Sequence, residues 1–295
     1  MVALSVSSSP IAQRLFNDRY RFLEEIGVGS FSRVFLAQDT HEHNRLIAIK
    51  RLRQSGLPTL LRGTARQSFR REAAMLGRLR HPRIPRLRDS ALGAGFWFLA
   101  IDYIAGETLE HALKRHNAPM CLREVLDIGL QLCEVLSYLQ SCQPSVKYRD
   151  LKPANIMCQP ADQLVLIDFG LACPYHPGVI DAVTLGTPGY AAPEQYANKY
   201  GQGAATLQSD IYSLGVILHQ LLSGEHPAKK PLKELFTFSS LAGKTVPDLA
   251  ALVAQMLAHE PGERIGTICE VQHVLEAVQA ALLTRCPSSV VLEPL

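Results

Sequence analysis

The chain has 295 residues, of which 47% are hydrophobic and 19% charged, with a formal net charge of +3. That is too apolar for a disordered chain and enough for one large or two small packed cores. No run of 18 apolar residues occurs, and the most apolar window, 211–222, is too short to cross a bilayer and carries polar residues. The opening Met1-Val2-Ala3-Leu4-Ser5 lacks the basic start and long apolar core of a signal peptide, so a cytoplasmic location is expected. Seven cysteines, an odd number without CxxC spacing, fit reduced thiols better than a disulfide framework or a zinc site; Cys173 is the thiol to watch for redox sensitivity.

Residues 1–16 are Ser-rich and weakly patterned, which predicts a flexible leader. Phe22–Ile26 and Ser32–Ala37 read as strands flanking a glycine turn, and Leu46–Lys50 as a third. Nine arginines lie between Arg62 and Arg88, a density that invites a nucleic-acid reading. Phe69, Ala73, Leu76 and Leu79 recur at helical spacing there, so the arginines are assigned to the solvent face of an amphipathic helix over Gln67–Arg80, stopped by His81-Pro82. No nucleic-acid partner is expected; an acidic partner or protein substrate is the sharper alternative. Gly95–Tyr103 reads as the last strand of a β-rich segment.

Beyond Gly106 the pattern turns helical. Leu122, Leu126, Gly129, Leu132, Val135, Leu136 and Leu139 mark one helix over 122–140, and Asp210–Leu222 is apolar nearly all round, as a core helix would be. Leu249–Leu257 and Val271–Leu283 are two further helices, before a Pro- and Ser-containing tail over 281–295. The expected organisation is one domain over 17–280 in two lobes, about 17–103 and 104–280, joined near Asp102–Gly106.

The chemistry concentrates in Tyr148-Arg149-Asp150-Leu151-Lys152-Pro153-Ala154-Asn155 and Ile167-Asp168-Phe169-Gly170. Asp150 can accept or orient the proton of an attacking hydroxyl, and Lys152 can neutralise a moving phosphoryl group. Asn155 and Asp168 offer hard oxygen ligands for magnesium. These segments resemble the catalytic and metal-binding loops of the eukaryotic-type serine/threonine protein kinases of bacteria, and further matches run in family order from about Tyr20 to Glu276. The resemblance implies an α+β, bilobal protein-kinase fold with a small β-rich N-lobe and a larger, mainly helical C-lobe. It also implies ATP and Mg2+ (or Mn2+) as cofactors and protein Ser/Thr hydroxyls as substrates.

Several site residues follow from that resemblance alone. Gly27-Val28-Gly29-Ser30-Phe31-Ser32 resembles the glycine-rich loop over the nucleotide phosphates, with Ser32 where a third glycine is usual and Phe31 capping the tip. Lys50 would bind the α/β-phosphates, held by Glu72. Backbone groups of Asp102 and Ile104 would bond adenine, bordered by Ile101, with Ile26, Val34, Ala48 and Met157 lining the pocket. Arg149 would bind a phosphorylated activation segment; Tyr148 stands where histidine is more frequent and would stack with Leu76, Leu87 and Phe169.

Gly186–Glu194 resembles the substrate-docking loop. There Thr187 would bond Asp150 and Lys152, and Thr184 is the leading autophosphorylation site, with self-association for transfer between copies. Glu194 would pair with Arg264, and Asp210 would anchor the catalytic-loop backbone. Two rival readings are a pseudokinase and a small-molecule kinase. The presence of Lys50, Glu72, Asp150, Asn155 and Asp168 argues against the first, and the Thr187–Glu194 loop with Arg264 against the second.

Overall fold

The computed structural model describes residues 16–29, 31–52, 58–93, 96–116, 119–179, 186–196, 205–226 and 247–285. Contacts divide the chain into two compact units. The first runs up to Ala105 and takes in Asp168–Gly170; the second comprises Gly106–Ile167 and the chain from Leu171 onward.

The first unit is built on a five-stranded antiparallel sheet in the order β1-β2-β3-β5-β4, with β1 Tyr20–Val28, β2 Ser32–Asp39, β3 Arg45–Leu52, β4 Leu87–Gly93 and β5 Phe96–Asp102. Alternation along the strands gives two apolar faces. Tyr20, Phe22, Ala37, Ile47, Ile49, Phe98 and Ala100 form one cluster. On the other face Leu52, Trp97 and Leu99 pack against Ala65, Phe69 and Ala73 of helix α1, Thr59–Arg78. Phe31, half-buried beside the glycine turn, packs against this second cluster.

Two boundaries differ from the sequence reading. Phe16, assigned to the leader, bridges to Tyr20 and sets its ring against Phe22 and Phe98 at 5.3 and 5.0 Å, because an aromatic there completes the first cluster. Helix α1 starts eight residues before the expected Gln67 and ends two residues before Arg80. Leu79 turns extended, and Arg80 Nη1 donates to the carbonyls of Leu76 and Leu79, satisfying acceptors that the helix end leaves open.

The second unit begins with β6 (Glu107–Thr108) and α2 (Leu109–His116), followed by α3 (Leu122–Ser141), β7 (Val146–Lys147), β8 (Ile156–Cys158), β9 (Leu164–Leu166) and β10 (Cys173–Pro174). Among the described residues α4 (Leu207–Ser223), α5 (Pro247–Met256) and α6 (Ile268–Arg285) follow. α4 is the central element, buried from Ser209 to Leu222 and closed by Gly224 in the left-handed region at φ 72°. α6 runs to Arg285, so the tail expected from 281 starts later; the rest of it lies outside the described residues.

Gly106 opens this unit at φ 130°, and a Cβ there would stand 2.0 Å from the Cys158 carbonyl oxygen on β8. Both the backbone conformation and the space demand glycine. Gly106→Ala is expected to lower stability by about 3 kcal/mol, the sum of left-handed strain and overpacking, read as a lower urea midpoint at unchanged slope.

Candidate active site

In the first unit three charged side chains meet: buried Glu72, half-buried Lys50 and exposed Asp168. Lys50 on β3 lies opposite Val34 of β2 and Leu99 of β5, which aims its side chain to the face covered by α1. There its Nζ donates to both carboxylate oxygens of Glu72, at 2.8 and 2.7 Å, and to Asp168 Oδ1 at 3.0 Å. Burial opposes the charge on Lys50, but Asp168 and Glu72 outweigh it and move its pKa upward. Burial, assisted by the charge of Asp168 and opposed by Lys50, pushes the Glu72 carboxyl up to about 7.

Asp168 sits in the left-handed region at φ 63°, a costly conformation for a residue with a side chain. Its Oδ1 accepts from Gly170 N at 3.3 Å, and Ser68 Oγ of α1 donates to the Gly170 carbonyl at 3.1 Å. A Cβ on Gly170 would meet that Oγ at 2.8 Å, so the close approach needs this glycine. These bonds are why Asp168–Gly170 join the sheet-bearing unit although the flanking chain belongs to the other. Ser68 carries no sequence signal, since a serine on a helix face is ordinary.

The proposed adenine-side positions in this unit follow from the strand register. Gly27 pairs with Val34, and Ala48 with Ile101, so Val34, Ala48, Lys50 and Ile101 share one face of the sheet. Gly29 N donates to the Ser32 carbonyl at 2.8 Å, closing the glycine turn, while Ser30 lies outside the described residues. Ile26 is exposed, Asp102 ends β5, and Ile104 follows it half-buried. Met157 belongs to the second unit, on β8 opposite Val165.

The second unit brings Asp150, Lys152, Asn155 and Thr187 together. Asp150 Oδ1 accepts from Thr187 Oγ1 at 2.7 Å; its Oδ2 accepts from Lys152 Nζ and from Asn155 Nδ2, both at 2.9 Å. Lys152 Nζ also donates to Thr187 Oγ1 at 2.7 Å, closing a triangle of acid, base and hydroxyl. Asn155 donates again to the Asp150 carbonyl at 2.9 Å. With its amide nitrogen spent on Asp150, the amide oxygen is what Asn155 has to offer a hard cation.

The loop that carries Asp150 is held from below. Asp210, fully buried on α4, accepts from the backbone N–H groups of Tyr148 and Arg149, each at 2.8 Å. Burial raises its carboxyl to about 6 against those two donors. The bonds support Arg149 at φ 69°, another left-handed residue with a side chain. Arg149 Nε donates to the Leu171 carbonyl, and Tyr148 donates its hydroxyl to the Ile167 carbonyl just before Asp168.

Gln195, buried and absent from the sequence reading, donates from Nε2 to the Arg149 carbonyl at 2.8 Å and accepts from Ala192 N at 3.1 Å. It ties the 186–196 loop to the loop that carries Asp150. No charge or motif marks it.

Glu194 and Arg264 form a bidentate pair at 2.7 and 2.8 Å. The remaining guanidinium donors go to the carbonyls of Ala258, Gln208 and His259, and the Tyr212 ring lies 4.9 Å away. Burial works against the ionised Glu194, but Arg264 and Ser209 hold its carboxyl below the ordinary range. Thr184 lies outside the described residues.

Among the described residues no three His, Cys, Asp or Glu side chains form a metal cage, and no helix is long and apolar enough to cross a membrane. A magnesium site in phosphoryl transfer does not call for such a cage, because this ion keeps several waters and phosphate oxygens and takes only one or two protein ligands.

A family model described as the protein kinase domain matches residues 20–277. The chain is 33% identical over 285 residues to "Serine/threonine-protein kinase C" of Synechocystis sp., covering 89% of this chain and 50% of that protein. It is 31% identical over 290 residues to "Serine/threonine-protein kinase PknA" of Nostoc sp., covering 94% and 50%. Against "Serine/threonine-protein kinase PknB" of Mycobacterium leprae the identity is 29% over 289 residues, covering 92% and 44%. The chain thus spans about half the length of the curated relatives it matches.

Proposed function

The chain belongs to the protein kinase family, and on that premise we propose that it transfers the γ-phosphoryl group of ATP to serine and threonine hydroxyls of proteins. The observation that carries this reading is the Asp150–Lys152–Thr187 triangle. A carboxylate beside a lysine, both fixed by a threonine from the substrate-docking loop, is suited to receive an aliphatic hydroxyl and steady the charge of the group it attacks.

Each residue has a distinct task. Asp150 orients the acceptor hydroxyl and takes its proton. Lys152 stabilises the negative oxygens of the phosphoryl group in flight. Lys50, fixed by Glu72, binds the α- and β-phosphates, and the backbone of Gly27 and Gly29 approaches phosphate oxygens. Asp102 and Ile104 bond the adenine through their backbones, with Ile26, Val34, Ala48 and Met157 as its apolar surroundings. Asn155 and Asp168 fit a divalent cation, magnesium or manganese, which when bound neutralises phosphate charge. We further assign the phosphorylated product on this chain to Thr184, with Arg149 as its phosphate partner.

Incubation with ATP and magnesium followed by mass spectrometry tests the reading. Phosphate is expected on Thr184 or neighbouring hydroxyls and on a generic basic protein, and none with Lys50→Met. A wild-type chain that binds ATP and transfers nothing under these conditions would be a binding module, and the proposal would be wrong.

A further inference from the structure

The β4–β5 ladder has one irregularity. Leu87 pairs with Ile101 and Asp89 with Ala100, so Arg88 is the extra residue of a bulge. A bulge re-aims a side chain that regular pairing would send elsewhere. Here it delivers Arg88 to Asp102, with Nε donating to Asp102 Oδ1 at 2.7 Å. Asp102 Oδ2 accepts from the Arg86 backbone N–H at 3.2 Å, and Asp102 N donates to the Arg86 carbonyl at 3.1 Å. Both carboxylate oxygens and the amide of Asp102 are therefore engaged by the short segment 86–88. The two side chains are about three-quarters buried, at 22% and 25% exposure, so solvent screens the pair only in part.

Arg88 is braced in turn. Its Nη1 lies 3.9 Å from Glu42, which also faces Arg45 at 3.6 Å and Arg19 at 3.9 Å. Arg19 forks onto Asp39 at 2.8 and 2.6 Å. A chain of charges thus runs from the end of β5 to the β2–β3 turn and the start of β1. For a strand-end aspartate needed only for solubility, this bracing has no purpose. It has one if the backbone from Asp102 to Ile104 must be held still.

We propose that Arg88 is the positioning residue for purine recognition: through the carboxylate of Asp102 it fixes the backbone that bonds adenine, and the preference for ATP over other nucleoside triphosphates depends on it. This rests on the assignment of Asp102 and Ile104 to adenine made above. Arg88 acts through Asp102 and leaves the chemistry at Asp150 untouched.

The test is steady-state phosphorylation of a generic basic protein with ATP and with GTP, for wild type, Arg88→Met, Arg88→Lys and Asp102→Asn. Arg88→Met is expected to raise KM for ATP about 3- to 10-fold at constant kcat, the scale of one charge-assisted positioning bond. The ratio of kcat/KM for ATP over GTP should fall by a similar factor, a change that general loosening of the sheet would not produce. Arg88→Lys keeps the charge without the fixed Nε donor and should recover part of the loss. Arg88→Met combined with Asp102→Asn should lose no more than the worse single variant.

Melting curves without nucleotide identify any variant that fails to fold; Arg88→Lys or Asp102→Asn then carries the measurement. An unchanged ATP-to-GTP ratio in a folded Arg88 variant, beside a wild type that prefers ATP, overturns the role of Arg88 alone. A wild type that uses both nucleotides equally overturns the adenine assignment and this proposal with it.

Discussion

Asp150→Ala is expected to lower kcat by about a thousandfold while nucleotide affinity stays within about twofold of wild type. Three donors converge on this carboxylate, from Thr187, Lys152 and Asn155. Its removal takes away the proposed acceptor for the substrate proton and also the counter-charge that holds Lys152. The residues assigned to the nucleotide phosphates, Lys50 and Glu72, keep their own bonds, so binding and chemistry should separate. Phosphate incorporation and fluorescent-nucleotide titration measure the two effects. A variant that retains a tenth of wild-type kcat would remove Asp150 from the proposed role. Asp150→Asn, which keeps the shape, should be nearly as slow, since an amide cannot accept the proton.

Lys50→Met has a different expected result, because it disturbs stability as well as transfer. Without the ammonium, Glu72 is left 3% exposed and close to Asp168, and both carboxylates lose the lysine charge they share. Breaking such a pair from one side costs about 3 kcal/mol when the remaining group stays charged. The carboxyl can escape by taking a proton. Burial and Asp168 already hold Glu72 at about 7 against the pull of Lys50, and without that pull it rises further.

A raised carboxyl binds its proton more tightly folded than unfolded, so its contribution to stability is complete at low pH and is lost as pH rises through the folded value. The urea midpoint of Lys50→Met should therefore approach wild type near pH 6 and fall away from it above pH 7. A gap between the two proteins that is constant over this range would refute the linkage. Phosphoryl transfer by the variant should be absent at every pH.

Periodicity carried the larger elements. α3 was predicted over 122–140 and spans Leu122–Ser141; α4 was predicted from Asp210 and begins three residues earlier, at Leu207. α4 is apolar nearly all round because core surrounds it, whereas in α3 the apolar positions recur at every turn on one face and Arg123, Glu124 and Glu134 stay exposed. The first two turns of α1 were illegible for the opposite reason. Leu60 is 93% exposed, no acidic residue marks the first turn, and Pro58 precedes the helix without a side-chain cap. α2 and β4 were also missed: α2 buries only Leu109, and β4 carries Arg88, Asp89 and Ser90 in succession.

The site was legible in a different way. The clustering of Asp150, Lys152 and Asn155 follows from their closeness in sequence. The contacts of Lys50 with Glu72 and of Glu194 with Arg264 join residues 22 and 70 positions apart, and only the family register could suggest them. What neither source could supply are the neutral supports, Ser68 and Gln195, and the re-aimed Arg88. Arg88 depends on a bulge, Gln195 on a buried amide contact and Ser68 on a hydroxyl that meets the Gly170 carbonyl, and none of these leaves a pattern in composition or spacing.

The sealed environment of Arg264 makes it a natural gauge of breathing motions. Its side chain has no exposed surface, and every donor is bonded to Glu194 or to a main-chain carbonyl. A dicarbonyl reagent such as phenylglyoxal can reach this guanidinium only during moments when the surrounding helices part. Its labelling rate, set against that of solvent-facing arginines such as Arg33, would count those openings directly and report how long the helical unit stays shut.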